Sequence, residues 1–210
     1  MKRTSFRSFS LRAGALLLIA ALPAVAQEAD PFNRLDPASR FSIELMIDSA
    51  RTVGLPPQAL RSLALEGIML KVDGKKIVDR VRHQYALLKV ARTTLGPVGD
   101  EELTAAAAVL NAGAKPAQLA AFKSRDKGRS DLQAFTVWAD LITRGVPSEE
   151  ASSAISKLWQ DGADDATFYG LWKSVQTDIS QGLNPGAALQ NRIRETPVRT
   201  PQNKGAPPEG

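Results

Sequence analysis

The sequence contains no cysteine and only one histidine, His83, among its 210 residues. The absence of cysteine excludes disulfide bonds, thiol nucleophiles and metal sites with Cys ligands. A single histidine excludes paired-histidine metal motifs, and any Ser-His catalytic arrangement would have to use His83. Aromatic residues are also scarce, at 6% of the chain. We therefore expect no metal and no cofactor, and we assign no catalytic residue.

The N-terminal segment has the composition of a secretory signal peptide. Four basic residues are followed by an apolar run at 13–22 and by the small residues Ala24-Val25-Ala26. The apolar run is shorter than the roughly 20 residues that a membrane-spanning helix needs. We therefore expect export to the periplasm or the outside of the cell, with cleavage after Ala26 and a mature chain that begins at Gln27.

Removing residues 1–26 changes the charge balance of the chain. The full sequence has 27 Lys and Arg against 22 Asp and Glu. The first 26 residues hold four of the basic residues and none of the acidic ones, so the remainder has 23 against 22. This near-neutral balance lacks the basic excess typical of nucleic-acid-binding proteins, and we expect no such partner. Because no later apolar run is long enough to cross a bilayer, we also expect no stable membrane insertion of the mature chain.

Beyond residue 36 the apolar residues recur with the 3.6-residue period of an α-helix, and strand-like alternation is absent. This pattern predicts an all-α fold, a compact array of eight or nine helices arranged as short hairpins. We divide the chain into a signal peptide at 1–26, an N-terminal arm at 27–36, a helical domain at 37–194 and a disordered tail at 195–210. The tail is rich in Pro, Gly and polar residues. Within the arm, Phe32 and Leu35 could dock on the domain.

Several junctions between predicted helices read Gly, then an apolar residue, then Pro. They are Gly54-Leu55-Pro56, Gly145-Val146-Pro147 and, with one residue inserted, Gly182-Leu183-Asn184-Pro185. Glycine at this position takes the left-handed backbone conformation that ends a helix, and the apolar residue packs back on the last turn. Because Pro suits the first turn of the next helix, the pattern predicts tight turns between neighbouring helices.

The tract at about 40–95 resembles the tract at about 131–186 with an offset of 91 residues. The identities at this offset are Thr52 with Thr143, Gly54 with Gly145, Pro56 with Pro147, Ser62 with Ser153 and Asp73 with Asp164. Two interpretations are open. The chain contains two copies of a three-helix unit, or two amphipathic tracts with similar turns match by chance.

Four carboxylates and His83 are the residues that we consider for catalysis. Asp79 lies one turn before His83 and could orient its ring, and the alternative is a solvated pair on the helix surface. Glu44 and Asp48 are spaced as an acid/base pair would be, but they lie on a polar face, which favours a solvated role.

Glu66 stands in the most apolar predicted helix, which begins at Pro56-Pro57 and which we expect to be the central, buried one. A buried Glu66 that opened into a cleft wide enough for a sugar chain would suit the acid of a cell-wall hydrolase.

Two further groups of residues are candidates for contacts. The tryptophans Trp138, Trp159 and Trp172 all fall on inward helical faces, which predicts core positions, although a half-covered one would be a natural contact residue. A basic stretch is either a solvated hinge or a contact for an anionic partner; its residues are Lys123, Arg125, Lys127 and Arg129.

The sequence favours an exported, soluble, non-enzymatic interaction or scaffold module of the bacterial envelope, with a protein or another envelope component as partner. Two alternatives are open. One is a carboxylate-dependent cell-wall hydrolase that uses Glu44 or Glu66. The other is a carrier that holds an apolar ligand between helices, in an enclosed pocket lined by Leu and Met.

Overall fold

The computed structural model describes residues 30–122 and 130–196, and within these ranges it contains nine α-helices, one 3-10 turn and no strand. The all-α prediction is confirmed. The signal peptide, the basic stretch at 123–129 and the tail beyond 196 lie outside the described residues. After the 3-10 turn Pro31–Arg34, the helices are α1 Pro37–Thr52, α2 Pro57–Met69, α3 Gly74–Leu95, α4 Asp100–Asn111, α5 Pro116–Ala120, α6 Leu132–Thr143, α7 Ser148–Gln160, α8 Asp165–Ser180 and α9 Pro185–Glu195.

Local side-chain chemistry explains where several helices begin. The Asp36 carboxylate accepts a hydrogen bond of 3.0 Å from the Ser39 backbone N–H at the start of α1, where Pro37 takes the first helical position. Hydrogen bonds from Ser39 lower the pKa of the Asp36 carboxyl below its usual value. Asp164 accepts in the same way from the Thr167 N–H, at 2.8 Å, and so starts α8.

The Gly-apolar-Pro junctions have the backbone conformation that the sequence predicts. Gly54 has φ 68° and Gly145 has φ 94°, both in the left-handed region. In these two turns the next apolar residue is buried, and its N–H donates back to the preceding helix, at 2.9 Å for Leu55 and 3.0 Å for Val146. At the third junction Gly182 also has a positive φ of 94°, but Leu183 is 39% exposed, so the packing expected for its side chain is wrong. The prediction that these junctions end one helix and turn the chain into the next is confirmed.

The 91-residue offset extends to the ends of the helices. Helices α1 and α6 end at 52 and 143, α2 and α7 begin at 57 and 148, and α3 and α8 begin at 74 and 165. The turn before the third helix also agrees, because Lys71 and Gly162 both have positive φ, at 55° and 80°. Asp73 and Asp164 then cap α3 and α8. The agreement in helix ends, turns and caps favours two copies of a three-helix unit over a chance match.

The two tracts pack differently around a shared joint. In the first, α1, α2 and α3 all contact one another, and α3 also contacts α4 and α5. In the second, α6 contacts α7 and α8, while α9 packs against both α7 and α8. Helix α4 joins the tracts by packing on α6, and the Glu102 carboxylate accepts a 2.9 Å hydrogen bond from the Asp131 N–H just before α6.

An aromatic cluster fills the core beside this joint. The ring of Phe122 lies 5.2 Å from that of Trp138, 5.6 Å from that of Phe135 and 6.0 Å from that of Trp159, measured between centroids. Phe122, Phe135 and Trp138 are almost completely buried. Aromatic rings at such distances add to the free energy gained from burial alone, so this cluster is a main source of stability.

The prediction that the second helix is the central, buried one is wrong. Helix α2 buries only one face, through Leu60, Ala64 and Ile68, while Met69 is 75% exposed at its end. It packs against α1, α3 and the 3-10 turn, which leaves its outer side uncovered. An apolar composition on several sides therefore does not bury a helix unless other helices are available to cover each side.

The N-terminal arm contributes to the fold from Pro31 onward. Phe32 is only 1% exposed, and the guanidinium carbon of Arg61 on α2 lies 5.0 Å from the centroid of its ring. A cation over an aromatic face is favourable, and the stem of Arg61 adds apolar contact. The docking expected for Phe32 is confirmed, and Leu35 packs partly buried against the same core.

A two-pronged ion pair fixes α9 on α8. Arg192 donates through Nε and Nη2 to the two carboxylate oxygens of Asp178, both at 2.7 Å. Asp178 is only 5% exposed, and Arg192 holds the pKa of its carboxyl below the usual value. The paired geometry compensates for the burial of the Asp178 charge and sets the position of α9.

Candidate functional site

An open groove of about 810 Å³ lies between α2 and α4. Helix α2 forms one wall and α4 the other, and α3 and α6 contribute one residue each. The lining residues are Pro56, Gln58, Ala59, Ser62, Leu63, Glu66, Gln84, Asp100, Glu101, Thr104, Ala105, Ala108 and Leu132. We call this cavity the α2–α4 groove.

The surface of the α2–α4 groove is mainly apolar, and much of it consists of small side chains. Ala59 on α2 faces Ala105 and Ala108 on α4, and Leu63 and Leu132 are partly buried beside them. Alanine at these positions leaves room between the two walls without a break in either helix, because alanine favours the helical conformation. The small side chains of Ala59 on the α2 wall and of Ala105 and Ala108 on the α4 wall therefore make the groove.

The charged residues that line the α2–α4 groove are all acidic. Glu66 lies on the α2 wall, and Asp100 and Glu101 lie at the start of the α4 wall, whereas no Lys or Arg is among the lining residues. Outside the lining, Arg80 on α3 approaches Glu66, with 4.0 Å between Nη2 and Oε1. The carboxylates give the rim of the groove a negative potential that would attract a cationic partner.

A second hollow of about 360 Å³ continues the groove along α3. It shares Leu63 and Gln84 with the α2–α4 groove and also includes Asp79, Arg80, His83 and Asn111, so this extension carries one arginine. One face of α4 thus borders open space along its whole length of 12 residues. At a rise of about 1.5 Å per residue, this length is about 18 Å, or three helical turns.

The Asp79–His83 dyad does not form. His83 lies exposed, with Nε2 3.2 Å from Oδ1 of Asn111 on α4. The Asp79 carboxylate instead pairs with Arg82, at 2.6 Å. Helical spacing allowed either basic neighbour to meet Asp79, and the longer, permanently charged arginine side chain takes the contact.

The Glu44 and Asp48 carboxylates also pair with arginines. Glu44 lies 2.8 Å from Arg40, and Asp48 lies 2.6 Å from Arg51, all four side chains being at least one-third exposed. This arrangement matches the solvated face that the sequence favoured. An exposed pair of this kind contributes little to stability and leaves neither carboxylate beside a cavity described here.

Glu66 meets one requirement of the hydrolase hypothesis and fails another. It borders the α2–α4 groove, which is open and measures about 810 Å³. However, its side chain is 57% exposed, because it lies on the uncovered side of α2. A carboxyl group that donates a proton to a sugar is normally shielded from water, and Glu66 is not.

The three tryptophans take different positions. Trp138 is fully buried, as predicted, and Trp159 is partly buried against Phe122. Trp172 is likewise partly buried against the core, as its helical phase predicts, but it also borders an open cavity beside the 53% exposed Tyr169. Helical phase gives the side on which a residue lies, but it does not show whether another helix covers that side.

The described residues contain neither a cluster of metal ligands nor a helix suited to cross a membrane. No group of three or more potential His, Cys, Asp or Glu ligands comes together there to hold a metal ion. Among the helices of these same ranges, none combines the length and the apolar character needed to cross a membrane.

Sequence reasoning missed the groove, although part of its signal was present. The acidic residues Asp100, Glu101 and Glu102 were consistent with simple stabilisation of a helix N-terminus, and the alanines of α4 with a buried stripe. In the structure two of these three carboxylates border the groove, as do Ala105 and Ala108. No protein-family profile, no curated protein and no solved structure matches this chain. Its chemistry must therefore be interpreted from its own residues.

Proposed function

We propose that this chain is an exported, non-enzymatic binding module whose α2–α4 groove accepts an amphipathic helix of a protein partner. The observation that supports the proposal is an open groove with an apolar floor, whose charged lining residues within 30–122 and 130–196 are all carboxylates. An amphipathic helix binds such a groove by placing its apolar face inside and its charged residues along the rim.

The groove also defines the chemistry of the partner. Its length of about three turns suits a segment of about 12 residues, with aliphatic side chains at positions i, i+3 or i+4, and i+7. The carboxylates of Glu66, Asp100 and Glu101 favour Lys or Arg on the flanks of that segment. Because alanines form the floor, large aliphatic side chains of the partner fill the space.

Model peptides test this proposal directly. A fluorescein-labelled helix of Leu and Lys, about 14 residues long, should bind the protein with a Kd in the micromolar range at low salt. A counterpart with Glu in place of Lys should bind at least tenfold more weakly, because it meets the acidic rim. Fluorescence anisotropy measures both affinities, and added salt should weaken only the cationic peptide.

Substitutions in the groove provide the specific test. Ala108→Trp should fill the groove and reduce binding of the cationic peptide at least tenfold, whereas Ala187→Trp, at an exposed position on α9, should not. Equal affinities for both peptides, or an equal effect of both substitutions, would mean that the groove is not the binding surface.

The export part of the proposal rests on residues 1–26 and has its own test. We expect the protein isolated from the envelope fraction of its native cells to begin at Gln27, because cleavage follows the small residues Ala24-Val25-Ala26. Mass spectrometry of the intact protein identifies the N-terminus. A product that retains Met1 would contradict cleavage.

Of the two alternatives, the hydrolase has the more specific observation, which is the position of Glu66 beside the groove. It predicts that Glu66→Gln abolishes glycan cleavage, whereas the binding module has no such activity to lose. The carrier alternative requires an enclosed cavity lined by Leu and Met. The α2–α4 groove is instead open and lined largely by Ala and polar residues.

A further inference from the structure

Another cavity lies between α6 and α8 and shares no lining residue with the α2–α4 groove. It measures about 290 Å³ and is open to solvent. Its lining combines two aromatic rings from α8 with polar side chains from α6. The lining residues are Gln133, Thr136, Val137, Asp140, Tyr169 and Trp172.

The two aromatic rings form a platform that is held in place. Tyr169 and Trp172 lie one helical turn apart on α8, with their centroids 5.4 Å apart and their planes 35° apart. The Trp172 indole N–H donates to Oδ2 of Asp140 at 2.7 Å, and Arg144 pairs with the same oxygen from the next turn of α6. These contacts fix the indole before any ligand arrives, which reduces the entropy lost on binding.

Comparison of the two three-helix tracts shows that this surface is unusual. The residues of the first tract at the positions of Tyr169 and Trp172 are Val78 and Val81, which are 7% and 0% exposed. The position of Asp140 is taken there by Ser49. The second tract thus has aromatic and polar groups on an open surface where the first has small aliphatic groups in the core. Packing of the unit does not require exposed aromatic rings here.

We infer that Tyr169, Trp172, Asp140 and Gln133 form a binding site for one pyranose ring of a neutral carbohydrate. The C–H groups on one face of a pyranose pack against aromatic rings, which fits the platform. Asp140 uses Oδ2 for both of its protein contacts, so Oδ1 can accept a hydrogen bond from a sugar hydroxyl. The Gln133 amide can both donate and accept, as recognition of hydroxyl groups requires.

Charge and volume favour this ligand over others of similar size. Because Arg144 pairs with Asp140, the cavity does not present a net negative charge that would select a quaternary ammonium ion. Ligand pockets generally measure about 300–1,000 Å³. A cavity of about 290 Å³ lies at the lower limit of this range, so it suits one ring rather than several. Adjoining rings of an oligosaccharide would extend into solvent.

Nuclear magnetic resonance titration of the full chain with soluble trisaccharides tests the inference. Maltotriose and cellotriose present glucose in α- and β-linkage, and N,N′,N″-triacetylchitotriose presents N-acetylglucosamine. At least one should shift the indole N–H resonance of Trp172 and leave that of the buried Trp138 unchanged. Tyr169→Ala should weaken this binding at least tenfold. Phe41→Ala removes an aromatic ring of similar exposure on α1 and should leave the affinity unchanged.

Three results would overturn the inference. The first is that no trisaccharide shifts the Trp172 resonance at about 10 mM, a concentration that detects even millimolar affinity. The second is that Tyr169→Ala, with the backbone amide spectrum of the folded protein retained, leaves the affinity unchanged. The third is that tetramethylammonium binds as tightly as the sugars, which would assign the cavity to cations. None of these results depends on the α2–α4 groove.

Discussion

Replacing Trp138 with alanine should lower the free energy of unfolding by about 3–5 kcal/mol. Trp138 is completely buried on α6, and its ring stacks on that of Phe122 at 5.2 Å. Removal of the indole reduces the apolar surface that is buried on folding. It also leaves a cavity that the packed helices on either side cannot close. Urea denaturation followed by circular dichroism at 222 nm measures the loss as a shift of the midpoint.

Trp138→Phe is the matched control. The Trp138 indole N–H has no hydrogen-bond partner within the described parts of the chain. Replacing the indole with a phenyl ring therefore removes a buried donor without breaking a hydrogen bond. Phenylalanine also retains a ring beside Phe122. We expect this variant to lose less than half as much stability as the alanine variant. A Trp138→Ala protein within about 1 kcal/mol of the wild type would contradict the central role of the aromatic cluster.

Gly67→Leu should destabilise the protein by about 2–3 kcal/mol, because α2 and α3 touch at this glycine. A Cβ atom at Gly67 would lie 2.7 Å from Cγ1 and 3.0 Å from Cδ1 of Ile77 on α3. Ile77 is only 1% exposed, so it has no free volume into which to move. The helices would have to separate, which also disturbs the α2 wall of the α2–α4 groove.

Gly170→Leu makes the same substitution within α8 and should instead raise the free energy of unfolding. A Cβ atom at Gly170 meets nothing within 4 Å, and the residue is exposed. Here the change only removes the helix-forming penalty of glycine, which is worth about 0.5–1 kcal/mol. Thermal and urea denaturation of both variants measure the difference. Destabilisation of similar size at both sites would show that helix crossing at Gly67 is not the cause.

Much of the fold could be predicted because its determinants are local in sequence. Asp36-Pro37 and Asp164 start helices through hydrogen bonds to residues three positions away, and Gly54 and Gly145 end them through their own backbone conformation. Such signals act within one turn and can be recognised without knowledge of the tertiary structure. The turns at Gly54 and Gly145 therefore separate α1 from α2 and α6 from α7 where the sequence places them.

The candidate sites could not be predicted because they depend on which helices meet. The α2–α4 groove joins Ala59 and Glu66 to Ala105 and Asp100, which are separated by more than 30 residues in sequence. Helical phase correctly turns Trp172 toward the core and α6, but it does not show that an open cavity beside α6 leaves part of the ring uncovered. Periodicity identifies faces, whereas the pairing of faces is a property of the whole fold.

The tight turns described above also affect how quickly the chain folds. The main helix contacts join either consecutive helices, such as α2 with α3 and α8 with α9, or helices separated by one other, such as α4 with α6. Chains dominated by contacts between residues near in sequence lose little entropy on closing each loop, and helical proteins of this kind fold in microseconds to milliseconds. Transport of this chain across a membrane in an extended form would then compete with folding on that timescale. Rapid hand-over to the export machinery, or a chaperone that binds the unfolded chain, would be needed.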